Sequence, residues 1–395
     1  MSSPSIITVA VPTFNRHHLL RVALDGIFGQ SLGRDSYEIL IIDNSTDRTA
    51  AEEFYAKARL DRRVRVVWSN PPGLSRARNR AVENCTTPYV AFLDDDAIPE
   101  QGWLAAIIEG FRHTARTVAV GGPIRPIWAT ERPDWLPEMH LSMFTIHDPA
   151  DSDCDLEPNT YLYGANMSFA VEALRKVGGF PEQVDRMGSG TLLSMGDVPI
   201  QDALRAQGGL VRYMKGAAVR HLVHEGRLRR NWMRSRMAWQ SVSEQIVESP
   251  WFSWATAVEE LKQLAVTNPN VAAATQLLFA PASQEALSNQ LTAVRHLVAL
   301  LLAAHTREDY VTESFVGELA ASTESARAAG ALGAADIERR LQSAAEAERQ
   351  LSELLRSRAI RLVQAYYALY SLPILGLLLR ILRQAVGTAK RLMRA

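Results

Sequence analysis

Tyr89 to Pro99 reads YVAFLDDDAIP, five residues of strand character followed at once by three adjacent aspartates, Asp94, Asp95 and Asp96. A short apolar run of this kind predicts a strand buried on both faces. Adjacent carboxylates repel, so a chain tolerates them best where solvent or a cation neutralises them. In extended geometry residues i and i+2 face the same way, so Asp94 and Asp96 can serve one site. A hard divalent ion on a diphosphate needs only one or two such carboxylates, because phosphate and water oxygens complete its shell. A solvated turn accounts for the triplet equally well when it is taken alone. Its place at the end of a buried strand is what points to a ligand.

Upstream, strand and helix patterns alternate. Strands are predicted at Ile6–Val11, Tyr37–Asp43 and Val64–Trp68, and helices at Arg16–Phe28, from about Asp47 to Ala58, and at Leu74–Glu83. Apolar strands separated by helices imply an α/β fold with a parallel sheet covered on both faces. In such sheets ligands sit beyond the carboxyl ends of the strands. Polar residues gather there: Pro12 to Arg16, Asp43 to Ser45, Asn70 to Asn79, and the triplet.

The 395 residues carry 43 basic and 43 acidic side chains, a balance that excludes a long nucleic acid as the main ligand. Cys85 and Cys154 are far apart and lack metal-ligand spacing, so a reducing compartment is expected. Met1–Ser5 lacks a basic leader region, and no secretory signal is expected.

The middle of the chain is irregular, with strand-like pieces at Thr117–Val120, Tyr161–Phe169, Leu210–Tyr213 and Ala217–His221. An Arg- and Trp-bearing helix is predicted at Arg227–Glu248, followed by Ala/Leu/Glu/Arg-rich helical sequence. The expected organisation is an α/β domain over residues 1–250, an all-helical region over 251–358 that offers a self-association interface, and a C-terminal segment over 359–395. Leu362–Leu379 is 18 residues without a charge, includes Tyr366, Tyr367 and Tyr370, and is followed by Arg380, Arg383, Lys390, Arg391 and Arg394. That pattern fits a helix lying in a membrane interface better than one crossing it, and a buried or oligomer-forming helix is the alternative.

The ordered set ITVAVPTFNR (Ile7–Arg16), EILIIDNSTD, GLSRARN and AFLDDDAIP resembles glycosyltransferase family 2. The likeness continues through Tyr163–Ser168, Val177–Phe180 and Ala218–His221, covering roughly residues 6 to 240. It implies a GT-A fold, a nucleotide-diphosphate sugar donor with a UDP-sugar favoured, a bound Mn²⁺ or Mg²⁺, and inversion at the anomeric carbon. By the same resemblance Pro12, Thr13, Asn15 and Arg16 wrap the nucleotide, and Asp43 accepts a hydrogen bond from its base. Gly73 lets backbone approach closely, and Arg78 and Asn79 face the nucleotide or order its loop. Asp94 and Asp95 lie on the donor side, Asp96 binds the metal, and His221 lies beside metal and diphosphate. An imidazole ligand favours Mn²⁺ over Mg²⁺. For Asp43 the plain alternative is a turn former, for Arg78 an ion-pair partner, and for His221 a packed side chain.

An inverting transfer needs a group to take the acceptor hydroxyl's proton. The family presents paired acids after the Gly-Gly-Phe region, whereas this chain has Ser194-Met195-Gly196-Asp197-Val198, with glycine in one acid's place. Asp197 is the expected base and Asp202 the fallback, while a helix cap is the plain alternative for Asp197. Asn166 and Trp232 are candidate acceptor contacts. The basic run from Arg227 to Arg236 either holds pyrophosphate or forms a solvated helix face. The expected activity is sugar transfer to a glycan or lipid-linked acceptor at the cytoplasmic face of the inner membrane, in surface polysaccharide or glycoconjugate synthesis. A non-catalytic assembly protein on the same fold is the alternative that Gly196 motivates.

Overall fold

Strand β1 (Ile7–Thr13) is buried at every position, because it lies at the centre of a sheet covered on both faces. Ile7, Val9 and Val11 pack with Leu20, Leu24 and Ile27 of helix α1 (His17–Phe28), while Ala10 joins Ala77 and Ala81 on the opposite face. Each large aliphatic side chain removed from water there contributes about 1.5–3 kcal/mol. The structure is a computed structural model that describes residues 5–58, 61–182, 192–247 and 283–306, with 259, 260 and 263.

On one side of β1 stand β2 (Tyr37–Asp43) and then β3 (Val64–Trp68), and on the other stands β4 (Tyr89–Leu93), all parallel. Helices α2 (Arg48–Ala58) and α3 (Leu74–Asn84) make the crossovers. These elements match the expected ones to within one residue, apart from β1, which runs on two residues further to Thr13. After the triplet come β5 (Ala97–Pro99), α4 (Trp103–Arg112), β6 (Thr117–Gly121) and β7 (Ile124–Trp128). They are followed by β8 (Cys154–Asp155), β9 (Asn166–Ala170), α5 (Val171–Lys176), α6 (Val198–Ala206), β10 (Leu210–Tyr213) and β11 (Val219–Val223).

The eight-stranded sheet has the order β3-β2-β1-β4-β9-β6-β10-β8. It is mostly parallel, the GT-A arrangement that the resemblance implies, but β9 runs antiparallel between β4 and β6. The strand expected over Tyr161–Phe169 forms only from Asn166, because the chain turns at Tyr163–Asn166, where Asn166 N donates to Tyr163 O at 2.8 Å.

A second sheet has the order β5-β11-β7. It opens directly from the triplet, with His221 opposite Ala97 and Leu222 N donating to Asp96 O at 2.9 Å. This register carries His221 to Asp96 from more than a hundred residues away.

Helix α7 (Arg230–Ile246) begins three residues later than expected, because Glu225–Arg227 forms a short 3-10 turn. It pairs with α8 (Gln284–Thr306), where Met233, Met237, Leu287 and Leu291 bury Leu136 and Phe144. The remainder of the expected helical region and the whole 359–395 segment lie outside the described residues. Among the described residues no helix is long and apolar enough to cross a membrane.

Candidate active site

The triplet leaves β4 at the carboxyl edge of the sheet, and its three side chains meet different partners. Asp94 stays partly exposed and lies 3.4 Å from Arg78 Nη2. Asp95 is fully buried, accepts from Thr13 Oγ1 at 2.7 Å, and pairs with Arg16 Nη2. Asp96 is buried between Arg16 Nη1 at 2.8 Å and His221 Nε2 at 3.3 Å. Burial pushes the Asp95 carboxyl up, with Arg16 opposing. At Asp96 burial acts the same way, but His221 and Arg16 outweigh it and hold the group well below the usual carboxylate range. Arg227 adds to the positive field on Asp96, and His224, which no sequence signal marked, lies close enough to feel Asp96 and Arg16.

Ligand atoms of Asp94, Asp96 and His221 all lie within 4.8 Å of one another. Two carboxylates and an imidazole form a hard-to-borderline donor set suited to Mn²⁺. His221 Nδ1 is buried without a hydrogen-bond partner, so only the site side of the ring is engaged. The residues fit a divalent ion. Asp94, expected on the donor side, joins Asp96 and His221 in this cluster.

Asp197 stands at the head of α6, but its side chain makes no capping bond. Instead Oδ2 accepts from Gly164 N at 3.0 Å. The Gly164 carbonyl in turn accepts from Arg78 Nη2 at 3.2 Å, so this one residue links Asp197 to the side chain that reaches Asp94. Burial raises the Asp197 pKa above its ordinary value, opposed by Arg78 and by the Gly164 bond. The fallback Asp202 is engaged elsewhere, accepting from Tyr161 Oη at 2.8 Å. Tyr163, to which sequence reasoning assigned no role of its own, feels both Asp197 and Arg236, the last residue of the basic run. Tyr163 is stacked on His147 with ring centroids 4.2 Å apart. The adjoining motif Tyr163-Gly164 was the available signal.

The remaining expected residues divide. Pro12 and Thr13 lie in the last turn of β1, paired with Ile42 and Asp43. Asn15 has a left-handed backbone (φ 54°) and exchanges hydrogen bonds with Thr46, fastening the loop after β1 to the loop after β2. Asp43 is shielded from solvent and accepts from Tyr55 Oη (2.6 Å) and Ser45 N (2.7 Å), with His17 Nε2 at 2.8 Å. Its side chain is 0% exposed, so direct contact with a base requires the residues around it to move aside. Gly73 is extended and precedes α3. Asn79 turns to Phe180, donating from Nδ2 to its carbonyl (2.9 Å) and accepting its N–H at Oδ1 (2.7 Å), so of its two expected roles it takes that of ordering a loop.

The two acceptor candidates are both engaged by neighbouring residues. Asn166 is fully buried, accepting from Trp103 Nε1 and donating to the Pro123 and Ala217 carbonyls, so its polar atoms are spent on the core. Trp232 packs on Phe144 with centroids 5.0 Å apart and belongs to the cluster between α7 and α8.

The glycosyl transferase family 2 model matches residues 8–178. A glucosyl-dolichyl phosphate glucuronosyltransferase of Haloferax volcanii is 28% identical over 177 residues, 45% of this chain and 56% of that protein. A pre-mycofactocin glycosyltransferase of Mycobacterium tuberculosis is 28% identical over 220 residues, 54% of this chain and 42% of that protein. This chain thus spans about half the length of these two curated relatives. A mannosyltransferase of Pyrobaculum calidifontis, solved with GDP-Man and Mn²⁺, aligns over 82% of this chain and 81% of that one, with 19% identity and a TM-score of 0.46. The strand order, the triplet at the sheet edge and the family-model match agree in a glycosyltransferase family 2 domain over residues 8–178.

Proposed function

We propose that this protein is an inverting, metal-dependent glycosyltransferase that moves a sugar from a nucleotide-diphosphate donor to a hydroxyl of a glycan or lipid-linked acceptor. The observation that carries the proposal is the convergence of Asp94, Asp96 and His221 on one point, with Asp197 tied to the same site through Gly164 and Arg78. In it Asp94, Asp96 and His221 hold the divalent ion, which neutralises the diphosphate when bound. Arg16 and Arg227 supply further positive charge for the leaving nucleoside diphosphate.

Asp197 takes the proton of the acceptor hydroxyl as the acceptor oxygen bonds to the anomeric carbon. The bond from that carbon to the diphosphate oxygen breaks, and its electron pair leaves with the nucleotide. A carboxylate whose pKa is raised by burial is a stronger base for this step. The nucleotide lies along Pro12 to Arg16 with its base toward the end of β2, and a UDP-sugar is the favoured donor. The uncharged, Tyr-bearing and Arg-flanked stretch beyond Leu362 supports a membrane-surface location and a lipid-linked acceptor.

The test is nucleotide release across a panel of nucleotide sugars with Mn²⁺, with and without acceptor. Mn²⁺-dependent release from one donor supports the enzyme. Tight donor binding with no hydrolysis or transfer favours the assembly protein that Gly196 motivates.

A further inference from the structure

We propose that Arg16 is an internal counter-ion that holds the cation's place on the triplet, so that the divalent ion loads together with a nucleoside diphosphate rather than ahead of it. This role presupposes the metal site proposed above.

Arg16 spans two carboxylates, Nη2 on Asp95 Oδ1 and Nη1 on Asp96 Oδ2 at 2.8 Å. Its backbone is fixed at the head of α1, where its carbonyl accepts from Leu19 N and Leu20 N. The two aspartates are essentially sealed from water, at 0% and 1% side-chain exposure, while Arg16 remains 38% exposed. The cation is therefore the mobile member of the group. Arg78 differs: its side chain is only 6% exposed, tied to the Gly164 carbonyl and set over the Phe180 ring.

A divalent ion bound by Asp96 has to share that carboxylate with a guanidinium already on it. An ion arriving alone loses the Arg16 pairing and gains a like charge beside it. A diphosphate arriving with the ion offers Arg16 a bidentate partner of the same geometry as the carboxylates it gives up. Metal and nucleotide then favour each other's binding through Arg16, and the coupling acts equally in both directions.

The experiment is Mn²⁺ binding to the full chain, followed by the electron paramagnetic resonance of the free ion, with and without UDP or GDP. In the wild type, nucleotide tightens Mn²⁺ by about tenfold or more, within the usual range of such couplings. Arg16→Gln binds Mn²⁺ alone about tenfold more tightly than wild type and loses most of the nucleotide coupling, whereas Arg16→Lys, which keeps a cation there, behaves like wild type. Nucleotide-independent Mn²⁺ binding in the wild type overturns the proposal without needing a variant that folds. So does a folded Arg16→Gln with unchanged affinity for Mn²⁺ alone, or an Arg16→Lys that tightens Mn²⁺ as Gln does. If wild type takes up no Mn²⁺ even with nucleotide, the metal site itself is wrong and the role of Arg16 falls with it.

Discussion

Asp197 accepts the backbone N–H of Gly164 at 3.0 Å, from a position where helix caps ordinarily turn inward. Because the Gly164 carbonyl also holds Arg78, which reaches Asp94, the proposed base and the aspartate triplet are joined through this one residue. Movement of Gly164 shifts both together.

Asp197→Asn keeps the shape and the Gly164 bond but removes the proton acceptor. Transfer should fall by about 10²–10⁴-fold with donor affinity unchanged, as read by nucleotide release and by calorimetry. In the wild type the acid limb of the pH–rate profile should lie above the ordinary carboxylate range, because burial raises this group. The sign for stability follows from the same shift. The folded state holds this proton more tightly than the unfolded chain, so stability falls as pH rises from the ordinary Asp pKa through the raised one. Asp197→Asn should therefore melt above wild type at neutral pH, with the gain shrinking in acid.

Gly164→Ala should damage the same link sterically. An added methyl group meets the Arg78 guanidinium, which is buried and cannot swing aside. Overpacking of this kind costs about 1–3 kcal/mol, read as a lowered melting temperature together with reduced transfer.

Asp96→Asn should stay folded and lose function. Removing the charge takes one ligand from the proposed metal cluster, and turnover should drop by about a thousandfold, roughly 4 kcal/mol. Loss of Mn²⁺ binding should accompany it, measured on protein with an unchanged circular dichroism spectrum. Full activity in this variant would remove the metal assignment.

Asn79→Ala should destabilise by about 2 kcal/mol, since two hydrogen bonds to Phe180 are lost together. Gly179→Ala should cost about 1–2 kcal/mol from its φ of +76°, with more from a Cβ placed 2.6 Å from Asn79 Oδ1. With Asn79 already truncated that contact is gone, so the double variant should lose less than the sum, as chemical denaturation would show.

Much of the fold was legible in the sequence because β1, β2 and β4 are almost wholly buried and read as largely apolar runs, while β3, at the sheet edge with Arg65 exposed, still keeps its strand-forming residues. A strand at β9 was legible, but not its start at Asn166, because that residue looks like a surface polar side chain while its amide in fact braces Trp103 and two carbonyls inside the core. Direction of pairing also leaves no mark on a strand as short as Asn166–Ala170. At the site, Asp94, Asp96 and His221 were legible by type and order. The ion pairs of Arg16 and the three partners of Asp43 were not, because they depend on side chains that meet only after loops from separate strands converge. The meeting of Tyr163 with Asp197 and Arg236 escaped for the same reason.

The pairing of β11 with β5 bears on how this chain tolerates change. Strand faces alternate, so sliding β11 by one residue would turn His221 away and present Arg220 or Leu222 in its place. The site is thus addressed by counting along a strand, with β11 held in step by β5 on one side and β7 on the other. A one-residue insertion or deletion that shifts that count would silence the centre while leaving every one of its polar groups intact.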